Sequence, residues 1–479
     1  MRRIKELWLD FKVKYKKNPA WYWLLLSLFT FFLLPEYVSP FILFAAFIIF
    51  KRQWTREGRL AKVGNLGKIE MALMGLMLLS TLWSPTKLDT LGSAGLWWAV
   101  ILIQVMIFNL ARTKEKVKKV ITAVVASAAL NGLVGTAQIL TFILSVNHII
   151  SPRLVLVTPF YRYLDVLVYK ALPFSISTSM WAQRASGFFS NPNLLATFMI
   201  VAFPLAGYLF LNASSRASKI RYFLAITCIT AGMASTMSRA GCYVILASWV
   251  VLFVVYIKHH RAETLAVFIP TAGTTIPSLL IRYGKISIYP ADLDMAEIMN
   301  YIPYIPELIP IDGMEAIQSS QVHFDIWKSL ADYLIHHVPA FLFGTGFGCE
   351  QTGHILYEQY QLNKPHAHNV IIEFWAELGI VGVILLAVII VYAIGKLLEI
   401  KQHDFKALTI VVAVMTSLIS LMIFGLSDFI FNSPKQIIQL MILLGLTQAL
   451  SYNYEKRLIH TATDLSKVAR DDWDSLVNQ

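Results

Sequence analysis

The chain has 479 residues, 57% of them hydrophobic, and a formal net charge of +12 at pH 7. Its mean hydropathy of +0.60 and its repeated apolar runs exclude a soluble multidomain protein and are typical of a polytopic membrane protein. The basic clusters lie beside the apolar runs, where membrane anchors belong, so the charge indicates contact with membrane lipids and requires no nucleic-acid partner.

The apolar runs predict the number of membrane spans. A helix needs about 20 apolar residues to cross a hydrocarbon core of about 30 Å, and twelve runs are candidates. The predicted fold is all-α: a single integral membrane domain over 1–479 with about twelve transmembrane helices. In chain order the runs are approximately 20–34, 37–50, 67–83, 93–111, 120–146, 192–210, 222–238, 241–257, 262–280, 369–395, 407–426 and 437–453.

The basic residues predict the orientation. If both termini are cytoplasmic, the cytoplasmic segments hold 29 of the 41 Lys and Arg residues, which is the positive-inside pattern. The basic N-terminus (1–18) and the tail (454–479) are then cytoplasmic. Two long segments lie outside, 147–190 and 281–367. The second, between predicted helices 9 and 10, is too long for a simple connector and is therefore a functional candidate.

Positive charge and histidine are also concentrated on the predicted outer side, where the positive-inside rule gives them no role. Six of the eleven histidines fall in or at the end of the second outer loop. Such a vestibule suits an anionic substrate such as a phosphate or diphosphate. The histidines are His323, His336, His337, His354, His366 and His368; the cations are Arg153, Arg162, Lys170, Arg184, Arg239, Arg282, Lys285, Lys328 and Lys364.

Polar residues open the predicted helix at 369–395, in the stretch HAHNVIIEFWAELGIVG. Asn369, Glu373 and Glu377 follow at four-residue steps, which places them on one face of the helix. Acidic groups in a membrane are costly, so both glutamates are functional candidates, with a structural ion pair to an outer arginine as the alternative. His368, at the helix entrance, is either a general base or an ordinary surface histidine.

Two arginines stand near predicted helix starts on the same side. In QRASGFFSNPN, Pro192 falls in a first helical turn with Asn191 as its cap. A helix N-terminus that can bind an anion is therefore predicted beside Arg184. The alternative is that these residues only mark the start of the helix. In STMSRAG, Arg239 is either a phosphate clamp or a snorkelling side chain. Asn191 and Asn193 are additional candidates for this site.

The order of these motifs resembles one known family. RASGFFSNPN, then SRAG, then a long outer loop ending in FGTGFG, then HAHNVIIEFWAELGIVG is similar to the O-antigen ligase and polymerase superfamily of bacterial membrane glycosyltransferases. The resemblance covers about 70–450, with its sharpest motifs between 184 and 382. Its most specific part is the His-Asn pair followed after nine residues by Gly379.

The resemblance implies a GT-C-like fold in the bacterial cytoplasmic (inner) membrane, with the large outer loop capping an active site on the extracytoplasmic face. It implies transfer of a glycan from undecaprenyl diphosphate to an acceptor hydroxyl on lipid A core or another surface acceptor. Arg184 and Arg239 match the arginines that hold the diphosphate, and His368 matches the histidine that activates the acceptor hydroxyl. Asn369 would position that hydroxyl, and His366 is the alternative base.

The expected chemistry is metal-independent and uses no cofactor. Undecaprenyl diphosphate is a good leaving group once arginines stabilise its charge and a base near pH 7 takes the acceptor proton. Glu377 is a further catalytic candidate and Glu373 an additional one. Attack opposite the leaving group would invert the anomeric centre.

Three alternatives remain open at this point. A polymerase of lipid-linked repeats shares these motifs with a ligase, so the motifs do not separate the two. A transporter of lipid-linked sugars commonly shows inverted repeats, which are not visible in the sequence. A metal-binding membrane protein would be built on His336, His337, His354, His366 and His368, but these lack a tight ligand pattern with acidic or cysteine partners.

Overall fold

The computed structural model describes residues 6, 12–36, 38–151, 154, 156, 184–283, 285, 319–403 and 408–477. Within these ranges the regular elements are helical, which confirms the all-α prediction. The α-helices are α1 (Pro19–Thr30), α2 (Ser39–Arg56), α3 (Gly64–Leu79), α4 (Lys87–Leu110), α5 (Lys114–Val146), α6 (Pro192–Leu211), α7 (Arg216–Ser235), α8 (Arg239–Arg282), α9 (Ser319–His336), α10 (Val338–Phe343), α11 (Cys349–Tyr360), α12 (Val370–His403), α13 (Leu408–Gly425) and α14 (Pro434–Val477).

Eight helical segments among the described residues are long and apolar enough to cross a membrane. Two of them come from α8, whose backbone is non-helical at His260; the others belong to α3, α4, α5, α6, α12 and α13. The structure is also helical at the predicted spans near 20–34, 37–50, 222–238 and 437–453. These four helices are not among the eight, because none is at once as long, as apolar and as poor in charged residues. The total of twelve therefore stays a prediction.

Helix α6 is the centre of the bundle. It is apolar all round and enclosed by protein over its membrane-spanning window, where it packs against α5, α7, α8 and α13. Its start has the predicted form, because the Asn191 side chain accepts a hydrogen bond from the Asn193 N–H at 2.8 Å and Pro192 occupies the first turn. This N-terminal end of α6 is the fixed point around which the candidate site is built.

The helices that precede α12 form a small apolar cluster of their own. Ile326, Leu330 and Leu334 of α9 are fully buried, as their helical spacing predicts, and they pack with residues of α11 and α12. The FGTGFG stretch joins α10 to α11 with positive φ at all three glycines. These short helices therefore lie directly beside the start of α12.

Helix α12 is broken at Gly379, where φ is 67° and ψ is −174°. A Cβ at Gly379 would overlap the backbone carbonyl of Leu342, and a Cβ at Gly344 would overlap the backbone carbonyl of Glu377. Two backbone segments thus cross at a distance that side chains do not allow. The break separates the first turns of the helix, 370–378, which carry Glu373 and Glu377, from its long apolar part.

Parts of the predicted outer loops lie outside the described residues. These include most of 147–190 and residues 286–318 of the second loop, together with the predicted outer cations Arg153, Arg162 and Lys170.

Candidate active site

Four segments that are distant in sequence meet at the N-terminal end of α6. They are the loop 184–191, the turn 236–238 before α8, the turn 366–369 before α12, and the connection 426–433 between α13 and α14. The first three carry the motifs that the sequence analysis identified. The fourth contributes a carboxylate that it did not.

Arg184 joins the first two segments. Its Nε donates to the carbonyl of Thr236 at 2.8 Å, and its Nη2 donates to Oδ1 of Asn193 at 2.6 Å. The backbone N–H of Ala185 also donates to the carbonyl of Ser235 at 2.9 Å. The guanidinium is therefore held in one orientation at the start of α6, with the SRAG turn directly beside it.

Asp428 connects this arginine to the histidine turn. Nδ2 of Asn193 donates to Asp428 Oδ2 at 2.8 Å, and Nδ1 of His368 lies 3.0 Å from Asp428 Oδ1. The N–H of Phe429 donates to the same Oδ1 at 2.9 Å. A continuous chain of hydrogen bonds thus runs from Arg184 through Asn193 and Asp428 to His368.

The charge state of Asp428 sets the tautomer of His368. Burial opposes ionisation, but hydrogen bonds from His368 and Asn193 and the neighbouring histidine charges lower the pKa of Asp428 below its ordinary value. An ionised carboxylate only accepts hydrogen bonds, so the proton of His368 is on Nδ1. The Nε2 lone pair is then left for another proton.

Two further histidines lie against His368. The ring of His323, from α9, stacks on it with centroids 4.6 Å apart, and the His366 ring centroid is 4.1 Å away. Burial and the charge of His368 lower the pKa of both neighbours, for His366 to about 4. His366 is therefore neutral near pH 7, and its Nδ1 already accepts from the His368 backbone N–H at 3.3 Å.

Three arginines lie on the other side of the chain of hydrogen bonds. Burial and the charges of Arg282 and Arg239 lower the pKa of Arg184 to about 10, while Asp428 opposes this shift. All three guanidinium groups are therefore within electrostatic range of one another. The guanidinium of Arg239 lies 5.8 Å from the ring centroid of Tyr283.

The remaining predicted residues have structural contacts. The Asn369 side chain caps α12, since its Oδ1 accepts from the N–H groups of Ile371 and Ile372 and its Nδ2 donates to the carbonyl of Leu426 at 3.0 Å. Glu373 accepts a short hydrogen bond from the N–H of Ala367. This contact holds the turn that carries both histidines.

Glu377 lies one turn further along α12 and is buried. Its backbone carbonyl accepts from the N–H of Gly346, in the FGTGFG stretch. The nearest charged groups that influence its carboxyl are Glu373 and Asp89, rather than the arginines. The structure therefore places Glu377 toward α4 and α11 and not in the chain of hydrogen bonds.

One group of side chains has the composition of a metal site. The ligating atoms of His366, His368 and Asp428 lie within 4.8 Å of one another, and two histidines with one carboxylate is a common ligand set for zinc. His336 and His337 instead contact backbone carbonyls of α9, and His354 Nδ1 lies 3.6 Å from Glu358 Oε1. The five histidines considered for a metal site therefore do not converge.

Comparison with known proteins found a match that includes the turns at 236–238 and 366–369. Residues 223–387 match the family model described as O-antigen ligase. This region is similar to the O-antigen ligase family. No protein with a curated description matches the chain. The resemblance inferred from the motifs is confirmed, and it supports a multi-pass membrane glycosyltransferase of ligase or polymerase type.

The O-antigen ligase region contains Arg239, His366 and His368, whereas Arg184 precedes it and Asp428 follows it. The chain of hydrogen bonds therefore begins outside the matched region, at Arg184, and ends inside it, at His368. Sequence reasoning missed Asp428, although the predicted topology places the turn between the last two spans on the same side as His368. It also noted Arg282 as an outer cation without assigning it to the site.

Proposed function

We propose that the protein transfers a glycan from undecaprenyl diphosphate to an acceptor hydroxyl on the extracytoplasmic face of the bacterial cytoplasmic membrane, in the manner of an O-antigen ligase. The observation that carries this proposal is the chain of hydrogen bonds from Arg184 to His368. A fixed cation, Arg184, and an oriented imidazole, His368, stand at the two ends of this chain. Glycan transfer needs both, a cation to stabilise the anionic leaving group and a base to accept the proton of the acceptor hydroxyl.

His368 is the base in this proposal. Its Nε2 accepts the proton of the acceptor hydroxyl, while Nδ1–H stays on Asp428 and stabilises the imidazolium that forms. His366 is a poorer candidate because its pKa is about 4, so it binds a proton weakly at pH 7. Asp428 acts through His368 and is a positioning residue.

The arginines act on the leaving group. As the acceptor oxygen bonds to the anomeric carbon, the bond from that carbon to the diphosphate oxygen breaks and the electron pair leaves with undecaprenyl diphosphate. Arg184 and Arg239 stabilise the growing charge, and Arg282 adds a third cation in range. Attack opposite the diphosphate inverts the anomeric centre. Among the other candidates, Asn191 and Asn193 organise this end of the site, and Glu373 and Asn369 shape the turn that holds His368. Glu377 has no role in this mechanism.

The test is an in vitro reaction of the purified chain with undecaprenyl-diphosphate oligosaccharide, analysed for released undecaprenyl diphosphate and product size. Transfer to an added lipid A core or other acceptor, once per acceptor, supports the ligase. A ladder of longer lipid-linked glycans from donor alone identifies a polymerase. Binding of donor without any release of undecaprenyl diphosphate contradicts both and favours a transporter.

Treatment with a chelator tests whether a metal ion at His366, His368 and Asp428 takes part in the reaction. The proposed chemistry takes its electrostatic stabilisation from arginines, so EDTA treatment should leave the rate of release unchanged. Loss of activity on chelation, with recovery on added Zn²⁺, would replace base catalysis by a metal-assisted mechanism at the same residues.

A further inference from the structure

A groove on the wall of the bundle lies between α1 and α5. It encloses about 640 Å³, within the range of roughly 300–1,000 Å³ that is common for sites binding small molecules. Aromatic side chains of Tyr22, Trp23 and Phe29 form one wall, and the small side chains of Ala123 and Ala126 form the other. Leu26, at the opening, is 44% exposed, so the groove opens to the surrounding lipid.

The cationic end of the groove lies away from the candidate active site. On α5, Asn131 Oδ1 accepts from the N–H of Phe188 and Gln138 Oε1 accepts from the N–H of Gly187, which places this part of the helix beside the loop that follows Arg184. Lys119, at the other end of the groove wall, precedes Asn131 by twelve residues, or about 18 Å along a helix. The Lys119 end of the groove therefore lies toward the predicted cytoplasmic end of α5, opposite to the end that contacts the loop after Arg184.

The charges around the groove are positive. Lys119 is the charged residue that lines it, and Lys116 lies within electrostatic range of Lys119 and Arg59. The hydroxyl of Thr122, also in the lining, donates to the backbone carbonyl of Lys118 at 2.8 Å. An apolar slot with a cation at its end complements a molecule that has an apolar chain and an anionic head.

We propose that this groove binds an acyl chain of an anionic phospholipid, with its phosphate at Lys119. The chain would lie along Phe29, Ala123 and Ala126, and the phosphate would face the lysine at the membrane surface. The glycan donor has a similar chemical character, but its proposed cations lie at the other end of α5. The phospholipid site is thus separate from the proposed transfer reaction.

The test measures lipid retention by the purified full-length chain. The protein is exchanged into detergent with dioleoyl-phosphatidylglycerol or dioleoyl-phosphatidylcholine, and bound lipid is counted by native mass spectrometry. We expect the wild-type chain to retain the phosphatidylglycerol on the order of fivefold better, since each lysine near an anionic headgroup contributes about that factor. Lys119→Gln should remove this preference, whereas Lys118→Gln, on a neighbouring face of α5, should keep it.

A second variant tests the apolar part of the site. Ala126→Trp fills the groove and should lower retention of both lipids at least threefold, with an unchanged elution profile in size-exclusion chromatography. Leu26→Trp narrows the opening from the lipid-exposed side and provides the same test if Ala126→Trp does not fold. Equal retention of the two lipids by the wild-type chain, or full retention by the folded groove variants, overturns the proposal. Neither measurement depends on glycan transfer.

Discussion

His366 and His368 are two residues apart, but their ring nitrogens are used differently. Nδ1 of His368 donates to Asp428, which leaves Nε2 available, whereas Nδ1 of His366 accepts from a backbone N–H. The Asp428 carboxylate, which the sequence analysis did not single out, therefore decides between two bases that the sequence left open. We therefore expect replacement of His368 to affect turnover and replacement of His366 to affect stability.

Replacement of His368 should stop the chemistry and spare the fold. His368→Ala removes the base, so turnover should fall about 10²- to 10⁴-fold, the usual contribution of general base catalysis, while donor binding persists. The measurement is release of undecaprenyl diphosphate under single-turnover conditions, with His366→Gln as the matched variant. Normal turnover in His368→Ala together with an inactive His366→Gln would reverse the assignment.

Asp428→Asn tests the positioning role of the carboxylate. The amide has nearly the same shape, but it can donate to Nδ1 and so favour the wrong tautomer of His368, as well as removing the negative charge. We expect kcat to fall about 10²-fold or more with a smaller change in KM. Comparison of kcat and KM over a range of pH, with Asp428→Glu as the charge-conserving variant, separates this effect from simple loss of structure. An Asn variant whose kcat and pH profile match the wild type would contradict the assignment.

His366 should make the protein less stable in mild acid. Its pKa is about 4 in the folded chain because of burial and the charge of His368, with Asp428 opposing and His323 adding to the shift, and about 6.5 when unfolded. Between these values the unfolded chain binds a proton that the folded chain does not, so stability falls as pH decreases through this window. The apparent Tm should drop less from pH 7 to pH 5 in His366→Gln than in the wild type. His354→Gln, at an exposed position, should behave like the wild type.

Among the helices, α12 depends most on its glycines. The break at Gly379 separates the stretch 370–378, which packs against α9, from the rest of the helix, and the close crossing with Gly344 fixes its position. Local signals in the sequence predicted where helices begin, as at Asn191 and Pro192, because a cap involves neighbouring residues. They did not predict the break, since it depends on a backbone contact with a segment some 35 residues earlier.

Gly379→Ala should therefore be strongly destabilising. The added Cβ would overlap the Leu342 carbonyl, at a φ that side chains rarely adopt. We expect a loss of several degrees in apparent Tm and reduced yield of folded protein. Gly395→Ala is the control in the same helix, because no atom lies within 4 Å of the position that its new Cβ would occupy and alanine favours helix. Equal Tm values for the two variants would show that the crossing is not tight in solution.

Across the whole molecule, the sequence predicts that the basic clusters and the candidate site lie on opposite sides of the membrane. Charge bias is a property of the entire chain, so this prediction needs no tertiary detail. The pairing of Asn193 with Asp428 could not be anticipated in the same way, since it joins residues 235 positions apart. Long-range contacts of this kind carry no local signal.

The predicted orientation is directly testable. A reporter that is active only in the cytoplasm should function when fused after Gln479, and one that is active only outside should function when inserted after Lys364, beside the histidine turn. Reporter activity normalised to protein amount is the measurement. Activity of the same reporter at both positions would overturn the proposed extracytoplasmic location of the site.

The separation between Asn193 and Asp428 also has a consequence for biosynthesis. Ribosomes add roughly 5–20 residues per second, so the arginine end of the site is made about 10–50 s before the carboxylate that connects it to His368. A nascent chain short of residue 428 has neither an oriented base nor the central hydrogen bond. In the proposed mechanism, transfer can therefore begin only after nearly the entire chain has been made.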